Sequence, residues 1–231
     1  MYHQSEGPLR IVCLGDSITG PASGARYQGQ YLKYADLLQL MVDARLGEGA
    51  AKVLNRGHAG QTTQDALGRF EAEVLKARPK LVTVLLGGND AREAEGLTEG
   101  EARAKARTRT IEALWSMVES LNVFGARVLV LLYHCLPNPD DPAGAWTGLT
   151  RYNDAIAGLA YELRHPVLDM NEAMHRALGE FSVVELVNER DGVHLNPAGE
   201  MVYARAIFNK WLELGWLPEP TTGPLEVKIR P

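Results

Sequence analysis

Residues Arg127–Tyr133 read RVLVLLY, one charge followed by an unbroken aliphatic stretch and a tyrosine. A continuous apolar run of this length, without polar alternation, suits a strand buried on both faces. Such strands belong to parallel sheets covered by helices on either side. Weaker versions recur along the chain. Arg10–Leu14 (RIVCL) is closed by Gly15, Lys52–Leu54 ends at Asn55, Leu81–Leu86 (LVTVLL) stops at Gly87-Gly88, and Pro166–Met170 is the faintest. Between them apolar residues return at steps of three and four. Tyr31, Tyr34, Ala35, Leu38, Met41, Val42 and Arg45 form one stripe. Leu67, Phe70 and Val74 form another, behind Thr62-x-x-Asp65, which has the form of a capping box. Ile111, Leu114, Trp115, Val118 and Leu121 form a third. Two further helices are expected over Leu149–Leu163 and from Asn196-Pro197 to about Leu214, the second with proline at its first helical position. Five strands alternating with helices predict a doubly wound α/β fold around a parallel sheet.

The size agrees with one domain spanning 1–231, with a core over about 9–214 and a proline-rich tail over 215–231. The 231 residues are 45% hydrophobic and 23% charged, ordinary for a soluble globular domain, which argues against disorder and coiled coil. Lysine and arginine number 24 against 29 acidic residues, a net charge of −5, so the basic field of a general nucleic-acid binder is missing. Cys13 and Cys135 lie in apolar runs and read as buried free thiols. No apolar window is long enough to span a membrane. The start, MYHQSEGPLR, lacks the pattern of a signal peptide. The default compartment is the cytoplasm, secretion staying open for a chain whose leader has been removed. A homo-oligomer is also left open.

Four short motifs follow the apolar runs or precede a helix. They are Gly15-Asp16-Ser17, Asn55-Arg56-Gly57, Gly87-Gly88-Asn89-Asp90 and Asp191-Gly192-Val193-His194. Ligands of open α/β sheets bind outside the carboxyl ends of the strands, where the strand order switches. In a sheet ordered 2-1-3-4-5, strands 2 and 3 flank strand 1, and the first three motifs meet above one point. Ser17 is then a candidate nucleophile at the opening of a helix, although serine there is also an ordinary helix cap. His194 is the candidate base. A carboxylate at Asp191 can curl back to its Nδ1 and leave Nε2 free for the serine proton. The competing role is a turn before the Asn196 cap. His58 and His134 also sit near strand ends but have no carboxylate close in sequence. The Gly57 N–H and the Asn89 amide, with the Ser17 N–H, could supply three oxyanion donors, and each of their motifs is also an ordinary turn sequence. Four such motifs in order at strand ends favour catalysis over turns.

Ile11-Val12-Cys13-Leu14-Gly15-Asp16-Ser17-Ile18-Thr19 resembles the first block of the SGNH hydrolases, the GDSL-type esterases and lipases, with Ile18 in place of the leucine. Asn55-Arg56-Gly57-x-x-Gly60-x-Thr62, Gly87-Gly88-Asn89-Asp90 and Asp191-Gly192-Val193-His194 resemble its second, third and fifth blocks. The resemblance spans Arg10 to about Leu214. It implies a flavodoxin-like three-layer αβα fold around a five-stranded parallel sheet, Ser17 as nucleophile, His194 as base oriented by Asp191, and an oxyanion hole of Ser17, Gly57 and Asn89. Asp16 and Asp90 are expected to support their loops, and no metal or other cofactor is needed. The implied reaction is hydrolysis of a small-molecule ester through an acyl-serine intermediate. A thioesterase, an acyltransferase or a long-chain lipase on the same residues is the nearest alternative. A non-catalytic flavodoxin-like binding module is the more distant one, and neither G-x-G-x-x-G nor a P-loop motif is present to support it. The loops Ala91–Gly100 and Leu136–Gly148 are expected to carry specificity, with Trp146 as a stacking platform or a loop anchor. Short loops of small polar residues and the want of an apolar lid favour acetyl-like acyl groups.

Overall fold

The computed structural model describes residues 7–20, 32–98, 100–136, 146–189 and 191–220, without the side chains of 146–148. Its sheet runs β2-β1-β3-β4-β5, all parallel, from β1 (Leu9–Gly15), β2 (Ala51–Gly57), β3 (Leu81–Leu85), β4 (Arg127–Leu132) and β5 (Val167–Asp169). Successive side chains on each strand enter opposite layers. Ile11, Cys13, Leu81, Leu129 and Leu131 face α1 (Tyr34–Leu46), α6 (Met170–Ala177) and α8 (Pro197–Glu213). Val12, Leu14, Val82, Val84, Val128 and Val130 face α2 (Thr63–Glu73), α4 (Glu101–Val123) and part of α5 (Trp146–Glu162). Apolar demand on both faces is why these strands read as unbroken runs.

The two edge strands are the exceptions, β5 being half-buried along its length. The middle residues of β2 are also only half-buried, so Asn55 and Arg56 continue the strand where apolarity stops. The Thr62–Asp65 box forms, each partner bonding the other's backbone, and opens α2. α1 begins at Tyr34, and Tyr31 lies outside the described residues.

Three helices were not expected. α3 (Gly88–Glu95) occupies part of the expected Ala91–Gly100 loop, and α6 and α7 (Val183–Leu186) follow β5. The Asn196 side chain does not cap α8. Its amide donates instead to the carbonyls of Val184 and Val187, tying the start of α8 to α7. Nor does Ser17 open a long helix within the described residues. It sits in a single helical turn closed by the Gly20 N–H on the Asp16 carbonyl at 2.8 Å.

The strand register places the site. Gly15 pairs with Gly57 on one side and with Leu85 on the other. The three strand ends are therefore level, and the segments leaving them carry Ser17, the Gly57–Thr62 turn and Asn89.

Candidate active site

The turn that carries Ser17 is anchored in the core. Asp16 is buried, accepting the Ile18 N–H on Oδ1 at 3.0 Å and the Tyr133 hydroxyl on Oδ2 at 2.7 Å. Burial raises its pKa despite these bonds and the nearby positive groups, because a carboxylate loses more by leaving water than two donors return. Thr19 shares a hydrogen bond with the Tyr34 hydroxyl at 2.8 Å. Ser17, half-buried, turns its hydroxyl outward from this frame.

His194 Nε2 lies 2.8 Å from Ser17 Oγ, and His194 Nδ1 lies 2.9 Å from Asp191 Oδ2. An ionised carboxylate only accepts, so Nδ1 carries the hydrogen and Nε2 accepts from the serine. Asp191 Oδ1 also takes the backbone N–H groups of Val193 and His194 at 2.8 and 2.9 Å. Burial pushes the Asp191 pKa up, but the two N–H groups and the imidazole outweigh it and hold the carboxyl below its ordinary value. The antiparallel bridge Val187–Leu195 and the Asn188 N–H on the His194 carbonyl, at 2.8 Å, fix the loop's base. The pair stays accessible, with side chains 35% and 39% exposed for His194 and Asp191.

Asn89, in the first turn of α3, donates one amide hydrogen to the Gln61 carbonyl at 2.9 Å, and its second hydrogen has no acceptor among the described residues. Asp90 next to it accepts from Thr63 N–H and Oγ1 and from Thr110 Oγ1, binding α3 to α2 and α4. Gly57 departs from the expectation. Its N–H is taken by Asn55 Oδ1 at 2.9 Å, and the Asn55 amide donates to the Thr19 carbonyl at 2.7 Å. Gly57 instead provides a close approach. Its Cα packs on Gly20 so tightly that a Cβ on either residue would strike the other's backbone. The open donor of this turn is three residues on. Gly60 has φ +76°, nothing stands where a Cβ would be, and neither its N–H nor that of Ser17 has an acceptor among the described residues. The motif contained Gly60, but only its left-handed backbone and the engaged Gly57 N–H separate the two glycines.

His58 does find a carboxylate, Glu73 at 2.9 Å, yet His194 holds the serine. His134 is fully buried with Nδ1 2.6 Å from the Tyr203 hydroxyl. Trp146's side chain and residues 137–145 lie outside the described residues. Among the described residues no three His, Cys, Asp or Glu side chains gather as a metal site, and no helix is long and apolar enough to cross a membrane.

A serine, histidine and aspartate joined in one relay above the carboxyl ends of a 2-1-3-4-5 sheet define a hydrolase-like class of site. The chain belongs to the GDSL-like lipase/acylhydrolase family, whose profile matches residues 13–202, and it is a carboxylic ester hydrolase of the SGNH superfamily. It is 33% identical over 230 residues to the uncharacterized lipoprotein YqeF of Bacillus subtilis, covering 88% of this chain and 90% of that protein. It is 25% identical over 213 residues to an acetylxylan esterase of Geobacillus stearothermophilus, covering 87% and 93%. Among solved structures, the Geobacillus acetylxylan esterase Axe2 superposes with a TM-score of 0.71 at 21% identity, over 88% of this chain and 94% of that one. The hydrolase LAE5 from the Lake Arreo metagenome superposes with 0.70 at 22%, over 92% and 98%. Catalytic mutants of Axe2 altered at a serine, an aspartate or a histidine are among the similar structures.

Proposed function

We propose that the chain hydrolyses short acyl esters, acetyl foremost, through an acyl intermediate on Ser17. The observation that carries this is the unbroken relay from Asp191 Oδ2 through His194 to Ser17 Oγ. As Oγ attacks the ester carbonyl, its proton passes to Nε2, and Asp191 stabilises the imidazolium formed. The oxyanion meets the N–H groups of Ser17 and Gly60 and the free amide hydrogen of Asn89, so Gly60 takes the place first given to Gly57. His194 returns the proton to the leaving alcohol, then draws one from water, whose oxygen attacks the acyl carbon. The acid leaves and Ser17 regains its hydrogen. Polar groups on the segments around Ser17 (Asn55, His58, Gln61, Asn89) and the acetylxylan esterase relative support a small acyl group on a sugar-like alcohol. The Bacillus relative is named a lipoprotein, and a cytoplasmic placement is not part of this proposal.

A series of p-nitrophenyl esters tests it. kcat/KM peaks at about two to four acyl carbons, because each further methylene gains about 0.8 kcal/mol only inside an apolar channel. A peak at twelve carbons or more moves the enzyme to the lipase or long-chain thioesterase group. Faster acyl transfer to an added alcohol than to water makes it an acyltransferase. Asn89→Ala lowers kcat by about 10²–10³ with KM little changed.

A further inference from the structure

Lys33 and Glu200 form an ion pair inside the protein, Nζ to Oε1 at 2.6 Å, with side chains 2% and 1% exposed. The pair meets the Ser17–His194–Asp191 relay at a backbone atom of Ser17. Lys33 precedes α1, and its Nζ also donates to the Ser17 backbone carbonyl at 3.4 Å. Glu200 lies in the first turn of α8, the helix that follows His194, and its Oε2 accepts the Tyr34 N–H at 2.7 Å. The pair therefore joins the nucleophile's carbonyl to the helix behind the catalytic histidine.

Packing alone does not explain two charges here. Desolvation costs several kcal/mol per ion, and apolar residues of similar volume commonly hold two helices together as well or better. What a buried lysine adds is direction. It grips one carbonyl oxygen from a fixed point, and that oxygen belongs to the residue whose hydroxyl must meet His194.

We propose that Lys33, anchored by Glu200, is a positioning residue that fixes the Ser17 backbone so that Oγ stays aligned with His194 Nε2, and that this alignment sets the rate of attack on the ester. The proposal rests on Ser17 as nucleophile. Lys33 stabilises no substrate atom and exchanges no proton. Its contribution belongs to kcat.

The double variant Lys33→Met/Glu200→Gln tests it, since glutamine keeps an acceptor for the Tyr34 N–H and no charge is left unpaired. Thermal melting checks the fold. The result expected is a kcat on an acetyl ester lowered about 10–100-fold with KM within about twofold, as a small misplacement of a reacting group produces. The second-order rate at which a fluorophosphonate labels Ser17 falls by the same factor. Wild-type kcat and labelling rate in the folded double variant overturn the proposal and leave the pair as packing. Failure of the wild type to be labelled at Ser17 overturns the acyl-serine mechanism itself. If the double variant melts below the assay temperature, Glu200→Gln alone decides. There Lys33 keeps its bond to Ser17 but loses its anchor, so kcat drops if the anchor matters, and a wild-type kcat refutes it.

Discussion

The two halves of the proposed relay are built in opposite ways. The Ser17 turn is interior, and its bonds reach far along the chain. Asp16 meets Tyr133, 117 residues away, and the Thr19 carbonyl meets Asn55, 36 away. The Asp191–His194 loop is a third exposed, and among the described residues the Asp191 carboxylate bonds only groups two or three residues ahead. One half is held by the core, the other mostly by short-range bonds, with the buried His134 on the Val193 backbone as its tie to the core. Stability and catalysis should therefore be inseparable in the frame beneath Ser17, at Asp16 and Thr19, and separable in the loop that carries Asp191 and His194.

Ser17→Ala is expected to have the largest effect. It lowers ester hydrolysis by about 10⁴-fold or more, because the remaining oxyanion donors and binding supply only the residual rate. Melting should be unchanged, since only the outward hydroxyl is lost. A variant that keeps a tenth of the rate removes Ser17 from the mechanism. Next is Asp191→Asn. Its amide faces His194 Nδ1 and forces the tautomer that cannot accept from serine, costing about 10³–10⁴ in kcat. The loop's N–H groups keep an acceptor, so a large fall in melting temperature would show that this half is not self-sufficient.

His134, buried beneath the Asp191–His194 loop, tests the tie between that loop and the core by pH. Burial, opposed in part by a hydrogen bond to the Val193 backbone, lowers its pKa from 6.5 to about 4. The fold holds it neutral while the unfolded chain protonates. Its contribution is complete above pH 6.5 and lost as pH falls through about 4, a difference of about 3 kcal/mol. In denaturant titrations, His134→Gln should lose that acid slope, and parallel pH curves would refute it.

The smallest effect runs with the opposite sign. Tyr133→Phe removes a donor from Asp16, whose pKa is already raised, and costs about 1–3 kcal/mol near neutrality. A raised carboxyl pKa gives stability that is present at low pH and lost as pH rises through it. The deficit should therefore shrink on acidification, and a pH-independent deficit would mean that Asp16 is not its origin.

The same contrast explains what the sequence made legible. The Asp191–His194 contact spans three residues, so spacing alone suggested it. The strands were legible because both faces are apolar, and β2 was half-hidden because an edge strand need not be. The frame under Ser17 was not legible. Lys33 and Glu200 are 167 positions apart and meet only once α1 and α8 pack together. α3 begins at Gly88 behind Gly87 as its N-cap, and that glycine pair looks like a turn. The helix is fixed by Asp90 bonding threonines 20 and 27 residues away. The glycine assignment in the second motif failed for a related reason. Which N–H is open depends on Asn55, whose side chain bonds both the Gly57 N–H and the Thr19 carbonyl.

The Gly20–Gly57 contact has a consequence for engineering. Two backbones touch there with no side chain between them, so the turn after β1 and the turn after β2 form one mechanical part. A library that varies either turn alone will mostly sample broken joints, whatever residues it offers to the substrate. Exchanging both turns together, as a matched pair from a single homologue, keeps the seam intact and makes substrate preference the variable that changes.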